Sequence, residues 1–130
     1  TLYIVGGLAA IYASYKVYKL IFPGGLDMDP RKDPPTITDS QAITIAGRCY
    51  TAMASAGTDE QALFAALSGL KYNDYVKVSK AFGLRPYFYL TGEAHVFDWM
   101  GTNLNLEEWI IEELELSEIQ ELSNILPEIF

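Results

Sequence analysis

The chain has 130 residues, half of them hydrophobic, with nine Lys and Arg against 17 Asp and Glu for a formal net charge of −8. That balance lacks the basic surface from which nucleic-acid affinity is built, so no nucleic-acid partner is expected. The single Cys49 excludes a disulfide framework within one chain and fits a reducing compartment or an inert buried thiol.

In chain order, Leu2 to Phe22 contain no Asp, Glu or Pro, and their only charges are Lys16 and Lys19 near one end. A helix of that length reaches roughly 30 Å, the thickness of a hydrocarbon core. Residues 1–22 therefore read as a single-pass transmembrane anchor in a lipid bilayer, stopped by Pro23-Gly24-Gly25. Lys16, Tyr18 and Lys19 fall at the membrane interface, where lysine stems snorkel and tyrosine rings settle. Nothing basic precedes Leu2, and Tyr-Lys-Leu-Ile-Phe makes a poor cleavage site, which disfavours a removed signal peptide. Positive charge at Lys16, Lys19, Arg31 and Lys32 predicts that this flank, and the domain after it, face the cytoplasm or a particle interior. Gly6, Ala10 and Ser14, spaced four apart, form a strip on which membrane helices pack closely, so a homo-oligomer through the anchor is expected.

Residues 23–38 hold four prolines and two glycines and read as a linker, with Pro34-Pro35 holding an extended stretch. Residues 39–130 are long enough for one small core and form an acidic helical domain. Asp39 or Ser40 caps a helix through Ala54, in which Ala42, Ile45, Ala46, Cys49, Tyr50 and Met53 repeat at three and four. Thr58 to Gln61 has capping-box spacing and opens a helix with Ala62, Leu63, Ala66 and Leu67 inward, ending near Gly69. Asn73 or Asp74 starts a third helix, which Gly83 ends. Leu84 to Leu90 reads as extended or irregular because of Pro86 and its aromatics, and helical propensity resumes over residues 93–100. Asn105 with Glu108, and Ser117 with Gln120, predict two more helices, one around Trp109 and one around Leu122. The fold class expected is all-α: the anchor plus a small orthogonal bundle of short helices.

After Arg85 there is no Lys or Arg, while Glu93, Asp98 and eight further glutamates follow. Most of these describe a solvated helix face, and gathered together they also make an acidic patch suited to a basic partner. His95 shares a helical face with Asp98, yet no nucleophile with a local signature accompanies them, so no catalytic residues and no cofactor are predicted. One Cys and one His cannot close a zinc site.

Ala56-Gly57-Thr58-Asp59-Glu60-Gln61-Ala62-Leu63-Phe64-Ala65-Ala66-Leu67 resembles the opening of an annexin repeat, and Asn105 to Leu114 is similar to that repeat's acidic fourth-helix region. The likeness spans roughly residues 53–126 and is closest over the first dozen. It implies a bundle of short helices wound like one repeat. It also implies calcium held against phospholipid by carbonyls of the Gly-Thr turn and a distant acidic side chain. On this chain that assigns Gly57, with Asp98 by spacing or Glu113 by helix-end alignment; Ser55 stands where the family's first glycine is expected. The turn and helix, with Tyr75, Val76, Ala81, Phe82 and Gly83 following, are also similar to small domains of flavobacteria-type bacteria and their phages.

These features together predict a non-enzymatic, membrane-anchored structural protein that links a bilayer to a protein layer. The membrane and capsid of a lipid-containing phage, or an envelope complex, are such settings. Tyr87, Tyr89, Trp99 and Trp109 are the candidate contacts to a capsid or envelope protein. The alternative is a calcium-dependent, lipid-binding, annexin-like module.

Overall fold

A computed structural model describes residues 25–54, 57–87 and 102–130. Five helices and one two-stranded ribbon follow one another: α1 (Asp39–Ala54), α2 (Glu60–Leu67), α3 (Tyr72–Phe82), β1 (Arg85–Tyr87), β2 (Thr102–Leu104), α4 (Leu106–Glu113) and α5 (Leu116–Ile125).

Helix α1 buries the stripe Ala42, Ala46, Cys49 and Met53, so its period of three to four sets the face that packs on α2 and α3. Its cap is Thr38, one residue before the expected candidates: the Thr38 hydroxyl accepts the Gln41 N–H at 3.1 Å while Gln41 Oε1 accepts the Thr38 N–H at 2.8 Å. Asp59 rather than Thr58 caps α2, accepting the Ala62 N–H at 3.0 Å. Helix α3 ends at Gly83, whose φ of +65° gives the left-handed stop. Asn105 and Glu108 cap α4 reciprocally at 2.9 and 3.2 Å, as the sequence predicts. Helix α5 begins earlier than Ser117, the Glu115 N–H donating to Glu118 Oε1 at 2.8 Å.

The core centres on Trp109, which is wholly buried. Its ring meets Tyr87, Tyr50 and Phe82 edge-on, with centroids 4.8, 5.8 and 6.1 Å away. Its Nε1–H donates to the Arg85 carbonyl at 3.2 Å. The Arg85 guanidinium lies over the Tyr50 and Phe82 rings, 4.5 and 4.6 Å from their centroids. The last cation of the sequence is therefore spent on this aromatic cluster.

Residues 25–38 lie along α3 as a strap. Asn73 accepts the Asp29 N–H at 2.9 Å and donates to the Asp29 and Asp33 carbonyls at 2.9 and 2.8 Å. Asp74 accepts from Thr36 and Ile37. The lysines of this region are matched one by one: Lys71 with Asp33 at 2.8 Å, Lys77 with Asp39 at 2.8 Å and Lys80 with Asp27 at 3.0 Å. Leu26 and Ile37 pack against the core, so the strap is part of the domain.

Two expectations are corrected. The fold is not all-α, because β1 pairs antiparallel with β2 in the register Arg85↔Leu104, Pro86↔Asn103 and Tyr87↔Thr102. In a two-stranded ribbon each strand is an edge, so Pro86 is tolerated despite its missing N–H. Nor does the structure show a transmembrane helix: among the described residues no helix is long and apolar enough to cross a membrane. The longest, α1, has 16 residues and a polar outer face, short of the ~20 apolar residues a span needs. The stretch 1–22, with Gly6, Ala10, Ser14, Lys16, Tyr18 and Lys19, lies outside the described residues.

Candidate functional site

The acidic segment becomes a surface where the start of α2 meets the α4–α5 corner. Residues 113–118 bend from one helix into the next, Leu114 closing α4 with its N–H on the Ile110 carbonyl at 2.9 Å. This brings Glu118 beside Glu60 of α2, and Glu113 beside Thr58 in the turn before that helix. The Glu118 carboxyl accepts the Glu115 N–H, which lowers its pKa, yet burial and the adjacent Glu60 carboxyl outweigh that and raise it. Burial raises Glu112 as well, reinforced by the charges of Glu108 and Glu113. Like charges therefore crowd one another here, and among the described residues no ion pair reaches them. Arg31, Lys32, Lys71, Lys77 and Lys80 are paired elsewhere, Arg85 lies on aromatic rings, and Arg48 lines a groove between α1 and α2.

One contact links this corner to the turn before α2. The Thr58 hydroxyl donates to Glu113 Oε2 at 2.5 Å across 55 residues of sequence. Glu113 Oε1 is buried and has no hydrogen-bond partner among the described residues. Gly57, at φ +83°, makes the turn that presents Thr58. The capping role expected of Thr58 passes to Asp59, and the freed hydroxyl is what reaches Glu113.

The other candidate residues are placed as follows. Gly57 and Glu113 share one end of the bundle, while Asp98 lies outside the described residues, as does His95. Among the described residues no group of three or more His, Cys, Asp or Glu side chains could hold a metal ion. Tyr87 and Trp109 face the core, 6% and 0% exposed, so neither presents a ring to a partner. The apolar stripe that Trp109 shares with Leu106 and Ile110 is a packing signal. Tyr89 and Trp99 lie outside the described residues. Burial pushes the Cys49 thiol up to about 12, which leaves it an unreactive core residue.

Sequence reasoning missed Glu60 as a member of the acidic corner. Its signal was its place in the first turn of α2, but only tertiary contact brings α2 to α5. No protein-family model, curated protein or solved structure matches the chain.

Proposed function

We propose that this domain is a non-enzymatic interaction module that docks a basic protein surface on its acidic corner. The observation that supports the reading is the crowding of carboxyls about the α4–α5 bend, Glu118 with Glu60 and Glu115 and Glu112 with Glu108 and Glu113, which together with burial raises the pKa of Glu118 and Glu112. Carboxyls held in mutual repulsion are relieved by a Lys or Arg brought by a partner, and such complementarity speeds encounter and fixes register. A protein layer with exposed basic residues, of capsid or envelope type, is the partner class that fits.

Titrating the full chain with a lysine-rich helical peptide tests this. Binding should weaken steeply with added salt and fall at least tenfold in Glu112→Lys and Glu118→Lys. Affinity that is indifferent to both substitutions removes the acidic corner from the role.

A second reading is favoured by the Thr58–Glu113 contact. It joins the turn and one of the two acidic residues that the annexin likeness assigns to calcium, and it leaves Glu113 Oε1 without a hydrogen bond. In this reading Gly57 and Glu113 contribute oxygen ligands of the kind calcium takes. Calorimetry with calcium chloride on the full chain separates the two: heat that disappears in Glu113→Gln supports the ion, and no heat with unchanged melting temperature eliminates it.

A further inference from the structure

We propose that the groove between α1 and α2 is where two copies of this chain meet. The groove encloses about 670 Å³ and is lined by Thr44, Gly47, Thr51, Ala62, Ala65 and Ala66. The hydroxyls of Thr44 and Thr51 donate to the Ser40 and Gly47 carbonyls of their own helix, both at 3.0 Å. Their donors are satisfied there, so Gly47 and the alanines supply the apolar part of a lining that also holds Arg48 and Asp59. Ile43, one turn before Gly47 on the same face, is 64% exposed.

Gly47 gives the surface its direction. It sits mid-helix, where glycine is among the least favourable residues. A Cβ built on it meets nothing within 4 Å, so no internal packing accounts for the bare backbone. A bare backbone at an exposed helix face admits close approach by another helix.

Charge selects the occupant. Among the described residues Arg48 is the one cation with neither an ion pair nor an aromatic partner. Asp59, at the same groove, uses one oxygen to cap α2 and meets no cation. The groove is thus formally neutral on a chain of net charge −8, and it holds one charge of each sign. That pattern complements itself: a two-fold axis sets Arg48 of one protomer against Asp59 of its partner, twice. Elsewhere, at the acidic corner, two copies would repel.

Sedimentation velocity of the full chain across a wide concentration range tests the proposal. The wild type should show a monomer–dimer equilibrium. Arg48→Asp and Asp59→Arg should each be monomeric alone and form a dimer when mixed, since mixing restores both opposite-charge pairs. Gly47→Leu should be monomeric, with helix content retained by circular dichroism. A wild type that stays monomeric, a charge variant that dimerises alone, or a mixture that does not dimerise overturns the proposal. If Asp59→Arg fails to fold, Gly47→Leu decides, and its persistence as a dimer overturns it.

Discussion

Asp74 holds Thr36 with both carboxylate oxygens: Oδ1 accepts the Thr36 N–H at 2.6 Å and Oδ2 accepts its hydroxyl at 2.9 Å. Oδ1 also takes the Ile37 N–H at 3.2 Å, so one side chain in the first turn of α3 seats the end of the strap. Asp74→Ala should destabilise the domain by about 2–3 kcal/mol, because it strands the donors of a charged hydrogen-bond cluster. Urea unfolding of the variant beside wild type measures it. A change below about 0.5 kcal/mol, the ordinary effect of a surface substitution, would mean that the strap adds little.

Acid should act on the fold in two opposite ways. Burial raises the Asp74 pKa, but hydrogen bonds from Thr36, Ile37 and Lys71 outweigh it and leave it lowered. Lys71 lowers Asp33 and Lys77 lowers Asp39, chiefly through their hydrogen bonds. Each of these groups has a folded pKa below its ordinary 3.8. Their contribution is full above that value and is lost as pH falls through the folded pKa. Glu112 and Glu118 have folded pKa values above the ordinary 4.5, so in the fold their ionised forms are the disfavoured ones. Lowering pH from neutrality through those values therefore favours folding. The melting temperature should climb modestly toward pH 4.5 and drop below pH 3.8; a steady decline from neutrality contradicts this assignment.

Trp109→Ala should cost about 3–5 kcal/mol, the range for emptying a buried aromatic site. Trp109→Phe should cost less yet remain clearly destabilising, since the Arg85 carbonyl loses its indole donor and the Tyr87 edge contact shrinks. Thermal unfolding ranks the two. A Phe variant as stable as wild type would make the indole N–H irrelevant.

Two glycines should respond with opposite signs to the same change. Gly83→Ala places a Cβ on a backbone at φ +65° and should lower stability by about 1 kcal/mol. Gly47→Ala has open space around its new methyl group and gains helix propensity, so it should raise stability by about 1 kcal/mol. Chemical denaturation at high dilution, where association does not contribute, checks both.

Much of the bundle was legible because its signals are local. The stripe Ala42, Ala46, Cys49 and Met53 specifies α1, and Asn105 with Glu108 specifies the start of α4. Cap identities were less legible, since Thr58 and Asp59 are both good N-caps and tertiary contact with Glu113 decides between them. The ribbon was not legible: three residues on each side give no alternation to detect, and β2 pairs with a partner fifteen residues and more away. Nor does composition reveal the strap. Its prolines and glycines indicate a loop, while its hold on α3 rests on Asn73 and Asp74, which sequence reads as helix caps. The candidate site was half visible, its glutamates in plain sight and the approach of Glu118 to Glu60 hidden in the packing.

The strap also has a mechanical meaning. Gly25 is buried and Leu26 packs on the core, so the described domain begins at a fixed point. Tension applied at Gly25 would meet the Asp27–Lys80 pair first and then the bonds between Asp29 and Asn73, about two turns away along α3. A pull from the N-terminal side would thus load the strap before it reached Trp109 and its ring of neighbours.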